Sequence, residues 1–294
     1  MFYRRKIILA LLETCGGTIS AINFQKLLFL FTRKQETKAF DFVPYRYGCF
    51  SFQANQDIAT LKTYGYVSYN ENDITLEKND NYFSQLNMFD KQYVLEIKSQ
   101  FGNFSQGDLI KYTYINYPFY ATKSQIAKKI LNNEELQKVQ QQIHTYSETM
   151  LFTIGYEGIA LETYINKLIT SDIKILCDVR KNAFSQKYGF SKNQLKTACE
   201  GVGIQYVHIP DLGIVSNKRQ ALNTQSDYNL LFEDYEQTVL QQNTKDINYI
   251  FDLLKHKKRI ALTCFEANIN HCHRKHLAEA ITRLPDFNYK MQHI

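Results

Sequence analysis

Over residues 151–284 four short apolar runs, LFTIGY, IKILCDVR, IQYVHIP and RIALTCFE, alternate with segments of helical periodicity. No other feature restricts the fold of this chain as tightly. Leu161, Ile165 and Leu168 line one face of LETYINKLI. SKNQLKTACEGVG opens on a Ser191–Gln194 capping box and closes on glycine. Residues 227–255 read as helical, and HRKHLAEAITRL forms the last helix. The runs are apolar throughout rather than alternating, as expected of strands buried on both faces. The expectation is an α/β domain at 151–294 with a parallel sheet and helices on both faces.

Ligands of such sheets bind beyond the carboxyl ends of the strands. The first strand delivers Tyr156 there, within Gly155-Tyr156-Glu157-Gly158, and the second delivers Asp178 and Arg180. The third delivers His208, and the fourth Cys264 and Glu266, followed by Cys272-His273-Arg274. Taken singly these residues have plain readings. GYEG is a tight turn too short for a dinucleotide fingerprint, Asp178 with Arg180 is a strand-end ion pair, and His208 is a core histidine.

TCFEANINHCHRKHLAEAI is harder to explain that way, because it gathers two of the six cysteines and three of the seven histidines. Structural zinc asks for close cysteine pairs, and Cys264 and Cys272 are eight apart with no matching pair, so no metal is expected. A reactive thiol is better supported. Basic neighbours and a helix N-terminus favour thiolate at Cys272, but the face set by Leu277, Ile281 and Leu284 runs back between His273 and Arg274. Cys272 then points away unless the helix begins after it, which leaves Cys264 as the better-placed thiol. An anion pocket fits best, with Arg180, Lys187 and Arg274 holding a phosphate or carboxylate and Asp178 and Glu266 supplying acid–base groups.

The segments TIGYEG, LCDVRKNAFSQKYGFSKNQLKTACEGVGIQYVHIPDLG and ALTCFEANINHCHRKHLA resemble the bacterial and archaeal family known as domain of unknown function 488. The shared marks are the opening Gly-Tyr, the Asp-Val-Arg strand end, a Ser-x-x-x-Gly-Phe segment from Ser185 and a His-x-Pro-x-Leu-Gly strand end. A Cys-x-Glu…Cys-His-Arg close completes the set. They run in order across about residues 151–283. The family tends to carry a proline between the glutamate and the second cysteine, where this chain has ANINH. The resemblance points to the strand-end site and brings no assigned reaction. The candidate catalytic residues are therefore Asp178, Cys264, Glu266 and His273. Tyr156, Arg180, Ser185, Lys187, His208, Cys272 and Arg274 are the candidate ligand-binding residues, and no cofactor is expected.

Residues 1–123 follow a different pattern. Helices at Ile7–Leu12, from a Ser20 cap through SAINFQKLLFLF, and at Phe52–Thr63 precede a hairpin turning at Asn70–Asp73. That is the order of a winged-helix module, so a mainly helical, winged-helix-like recognition domain is expected. Its first fifty residues hold eight Lys/Arg against three Asp/Glu, a face open to phosphates or to a protein partner. Residues 24–67, with the leading QKLL helix and the Tyr47–Ser51 turn, also resemble the Panacea-type antitoxin-associated domain over about fifty residues. Residues 124–150, rich in glutamine and without an apolar face, read as a helical linker.

The apolar run Ile7–Leu12 is too short for a secretory signal, and no stretch approaches a membrane span. A cytoplasmic setting with reduced thiols is expected. Net charge is +6, which permits nucleic acid, DNA more than RNA, or a nucleotide-like molecule as partner. The functional expectation is a nucleic-acid-associated enzyme or enzyme-like protein binding a phosphate-bearing ligand, a nucleotide or a modified base in DNA. The alternative is a ligand or redox sensor of a toxin–antitoxin or phage-defence system.

Overall fold

The computed structural model describes residues 1–294 except 71, 220 and 221. Two compact units divide the chain, residues 1–143 and 144–294.

The first unit begins with α1 (Tyr3–Thr14), β1 (Thr18–Ser20) and α2 (Ala21–Lys34). Gly16 and Gly17, both at positive φ, end α1, and the Ser20 hydroxyl accepts from Asn23 N at 3.3 Å to start α2. A hairpin, β2 (Val43–Tyr45) and β3 (Gly48–Phe50), leads to α3 (Phe52–Thr63), capped by Ser51. Then β4 (Val67–Tyr69) and β5 (Asp73–Leu76) form the expected second hairpin, and β1 joins its far side in the antiparallel order β1-β5-β4. The β1 strand and the β2–β3 hairpin are too short for alternation to reveal.

Helices α4 (Met88–Phe101), α5 (Gln106–Asn116), α6 (Ala127–Ile130) and α7 (Asn133–Gln140) complete the unit. The linker reading of 124–150 is corrected here. The polar stretch breaks into two helices at Leu131, and Ala127, Leu131 and Val139 are buried with Ile110, Tyr114 and Ala121. Three apolar residues spread over two short helices leave no continuous stripe, which is why periodicity did not show a core face. Among the described residues no helix is long and apolar enough to cross a membrane.

The second unit is α/β. In order come β6 (Met150–Gly155), α8 (Leu161–Thr170), β7 (Ile175–Asp178), α9 (Lys192–Gly201) and β8 (Gln205–His208). After these follow α10 (Gln225–Tyr235), α11 (Thr244–Lys257), β9 (Arg259–Cys264), α12 (His273–Thr282) and β10 (Lys290–His293). The sheet is parallel throughout in the order β10-β6-β9-β7-β8. All six residues of the central strand β9 are buried. The helical stretch expected at 227–255 is interrupted by a π turn at Glu236–Leu240 and resumes at Thr244.

Register aligns the strand ends. Gly155 pairs with Cys264, and Asp178 pairs with both Thr263 and His208. Alternation then sends side chains to opposite faces. Ile175, Cys177, Ile260 and Leu262 pack with Ile250, Leu254, Leu277 and Ile281 of α11 and α12. On the other face Tyr164 of α8 donates its hydroxyl to Thr263 Oγ1 at 2.7 Å. Cys264, two residues on from Leu262, is therefore on the α12 face, and Asp178 is on the α8 face.

Candidate functional site

Cys264 is the last residue of β9, and the loop after it folds back onto the end of β6. Tyr156 N and Glu157 N both donate to Phe265 O, at 3.1 and 2.9 Å, and Glu157 accepts from Ala267 N at 2.9 Å. Arg274, 2% exposed, donates to the carbonyls of Glu266 and Ala267. Gly155 makes this approach possible, because a Cβ there would lie 2.0 Å from Glu266 O. The loop returns the chain so that Cys272 caps α12 and the helix begins at His273. Cys272 thus turns inward and is buried, which removes the wheel argument that pointed it away.

Three groups meet at the Cys264 sulfur. It donates to Glu266 Oε2 at 3.2 Å and lies 3.7 Å from His273 Nδ1, and the Cys272 thiol hydrogen-bonds to it. Arg219 binds Glu266 Oε1 through Nη1 and donates through Nη2 to His273 Nδ1 at 2.6 Å. An acceptor at Nδ1 puts the imidazole proton on Nε2, where it is donated to Val179 O at 3.0 Å. Burial opposes a thiolate at Cys264. The Cys272 hydrogen bond and the charge of Arg219 outweigh it and hold the thiol well below its usual range. Cys272 is pushed well up by burial and by its neighbour. Burial and the adjacent Cys264 also raise Glu266.

The α8 face carries a second cluster. Asp178, fully buried, takes a bidentate grip from Arg180, with Nε at 2.8 Å and Nη2 at 2.5 Å, and accepts from Tyr206 OH at 2.6 Å. Arg180 Nη1 donates to Tyr156 OH at 2.7 Å and Phe190 O at 2.8 Å, so four of its donor bonds stay within the protein. Burial disfavours its charge, but Asp178 and Tyr156 more than compensate and raise its pKa. His208 Nε2 reaches Arg180 O at 2.9 Å, and Lys187 Nζ donates to Tyr156 O at 2.9 Å.

The expected Ser191–Gln194 capping box does not form. The Ser191 hydroxyl instead accepts from Ser185 N at 3.1 Å and donates to Ser185 O at 3.0 Å, while Gln194 accepts from Gly189 N. Both side chains are spent on tying down the 185–191 loop, whose backbone groups compete with those of the helix end.

A cavity of about 290 Å³ opens between the two clusters at the strand ends. Of the residues singled out from sequence, Tyr156, Arg180, Ser185, Cys264 and His273 line it. Glu266 adjoins it through Cys264 and Arg219, and Cys272 sits behind Cys264. Asp178 and His208 hold Arg180 from behind, whereas Lys187 and Arg274 are committed to backbone carbonyls rather than to a ligand. Sequence reasoning missed Arg219, Lys181, Phe184 and Phe265, which also line the cavity. Phe184 is 70% exposed and Phe265 42%, an uncommon outlay of aromatic surface beside polar groups. The one sequence signal for Arg219 was the Lys218-Arg219 pair after the third strand end.

Cys264, Cys272 and His273 bring their donor atoms within 4.8 Å of one another, despite the eight-residue spacing. The folded-back loop closes that gap. The His273 lone pair that a metal would need is taken by Arg219, a cation that does not deprotonate, so the cluster already contains its counter-charge.

The family model described as Domain of unknown function DUF488 matches residues 160–281, which run from α8 into α12 and include Asp178, Arg180, Cys264, Glu266 and His273 but not Tyr156. Neither a curated protein nor a solved structure matches the chain.

Proposed function

We propose that this DUF488 domain is a cysteine-dependent enzyme acting on a phosphate-bearing, nucleotide-like ligand, a free nucleotide or a modified base in DNA. The observation that carries the reading is the placement of Cys264. Its sulfur ends the central strand, is held between Glu266, His273 and Arg219, and borders the cavity. Arg219, whose buried Nε has no partner among the described residues, supplies the anion contact, Lys181 stands beside it paired with the exposed Asp211, and Phe184 and Phe265 offer faces for a planar base. In this scheme the Cys264 thiolate forms a bond to an electrophilic carbon of the ligand, and the displaced electron pair leaves with its atom. Glu266, raised by burial, donates the proton that leaving atom takes up. Asp178 is a positioning residue that fixes Arg180 and, through it, Tyr156.

The N-terminal unit, in this reading, is a winged-helix-like module that brings the enzyme to DNA. The order α1-β1-α2-α3 followed by the β4–β5 hairpin, with β1 paired to β5, supports it. A second reading, a redox sensor of a toxin–antitoxin or phage-defence system, is favoured by one observation. Cys272 lies against Cys264, so oxidation could join the two sulfurs.

The test is equilibrium binding of nucleoside monophosphates to the full chain and two variants. Arg219→Met should weaken binding roughly ten- to hundredfold, the cost of a lost charge-assisted contact. Cys264→Ser should bind normally and lose any covalent adduct or turnover. Absence of nucleotide binding, or one zinc per chain that Cys264→Ser releases, would reject the scheme.

A further inference from the structure

The N-terminal unit contains a lysine for which the proposed function has no use. Lys26 on α2 is 1% exposed, yet no carboxylate pairs with it among the described residues. Its ammonium donates to Cys49 O at 3.1 Å and touches the Cys49 thiol. A buried ammonium normally has a counter-charge, because isolated burial of an ion is among the costliest things a fold can do. The neighbouring Gln25 already pins the same turn, accepting from Ser51 N at 2.9 Å and donating to Ser51 O at 3.4 Å. Holding the turn does not require a cation at position 26.

Lys26 borders a cavity of about 260 Å³ whose walls include Tyr45, Phe50, Ile58 and Tyr69. The volume falls below the roughly 300–1,000 Å³ of drug-sized sites, so it suits a small ligand. Lys26 and Arg46 are the charged residues that line it among those described, and both are cationic. The Gln25-Lys26 pair and the Tyr47–Ser51 turn are also the segments singled out in the sequence, and they meet here.

We propose that this cavity binds a small apolar carboxylate of about benzoate or phenylacetate size. Its charged end pairs with Lys26, and its ring lies among Tyr45, Phe50 and Tyr69. Arg46 is exposed, so Lys26 is the one buried cation of this lining, and a single buried ammonium in an apolar wall matches a monoanion. A phosphate dianion would leave most of its acceptors unsatisfied there. Burial lowers the Lys26 pKa, partly offset by Cys49, and an arriving carboxylate would raise it again.

The experiment is calorimetric titration of the full chain with benzoate, phenylacetate, benzyl alcohol and inorganic phosphate, repeated on Lys26→Met. The expected result is that the carboxylates bind at least tenfold more tightly than benzyl alcohol or phosphate, and that Lys26→Met removes this preference. Hydrogen exchange on the unmodified chain gives a readout independent of the variant's folding. Phenylacetate should slow exchange at residues 21–26 and 45–50. Equal affinity for benzyl alcohol, preference for phosphate, or no protection of those segments at millimolar phenylacetate would overturn the proposal.

Discussion

Asp178 and Arg180 are so deeply enclosed that removing either charge strands the other. Asp178→Asn should cost about 3–5 kcal/mol in urea unfolding, as for other buried pairs broken on one side. The same variant should loosen Tyr156 without touching Cys264, because the two clusters occupy opposite faces of the sheet. At Cys264 the depressed thiol pKa sets a pH signature. Alkylation by iodoacetamide should be nearly flat from pH 7 to 9, where the unactivated Cys15, raised by burial, still accelerates. Lys26 gives a thermodynamic signature. Its folded pKa is lowered, so the folded chain binds fewer protons than the unfolded one and stability climbs with pH up to the unfolded value near 10.4. Denaturation of Lys26→Met beside the unmodified chain should therefore show the difference moving in favour of lysine between pH 7 and 10. Most of the site was legible at this scale because strand ends announce themselves through residues such as Asp178 and Cys264. Arg219 was not, since it reaches the cluster from a loop with no periodicity to place it.

Among the elements, the loop from Phe265 to Cys272 is the one whose path decides the chemistry. Gly155→Ala would drive a methyl group into Glu266 O, and Gly107, where a Cβ would meet nothing closer than Ser105 Oγ at 3.8 Å, gives the control substitution. Gly155→Ala should destabilise by about 1–3 kcal/mol in chemical denaturation and slow alkylation of Cys264, whereas Gly107→Ala should leave that rate unchanged. The helices and central strands of the second unit could be read from sequence because caps and apolar runs agree with one another there. The exceptions have physical reasons. The strand β10 is polar at Lys290, Gln292 and His293, since it lies at the edge of the sheet and needs no buried face. The start of α12 could not be fixed by a helical wheel, because a wheel describes a helix and says nothing about where it begins. That single residue of phase moved Cys272 from the surface to the back of the pocket.

For the whole molecule, the division after Ile143 replaces a broad linker with a narrow one. Gln141 to Thr145 are exposed, while Ala127, Leu131 and Val139 are buried. Limited proteolysis should cut near 141–145 and spare 127–140, as read by mass spectrometry of the fragments. The basic N-terminal face is thinner than a residue count implies. Arg4 and Arg5 both bind Asp57, Lys34 binds Glu96, and Lys26 is buried. That leaves Lys6, Arg33, Lys38 and Arg46 of the first fifty residues, so replacing these four together should flatten the logarithmic salt slope of DNA retention by no more than about 4. The strand order has a consequence for how the protein is made. Among the described residues the first strand of the large sheet, β6, pairs with β9 and β10 alone, and β9 follows it by roughly a hundred residues. As the chain leaves the ribosome, β6 waits without a neighbour until nearly all of the second unit has been translated. A stalled or truncated message would thus release a completed first unit trailing an unpaired, sticky strand, the kind of product that chaperones and proteases must intercept.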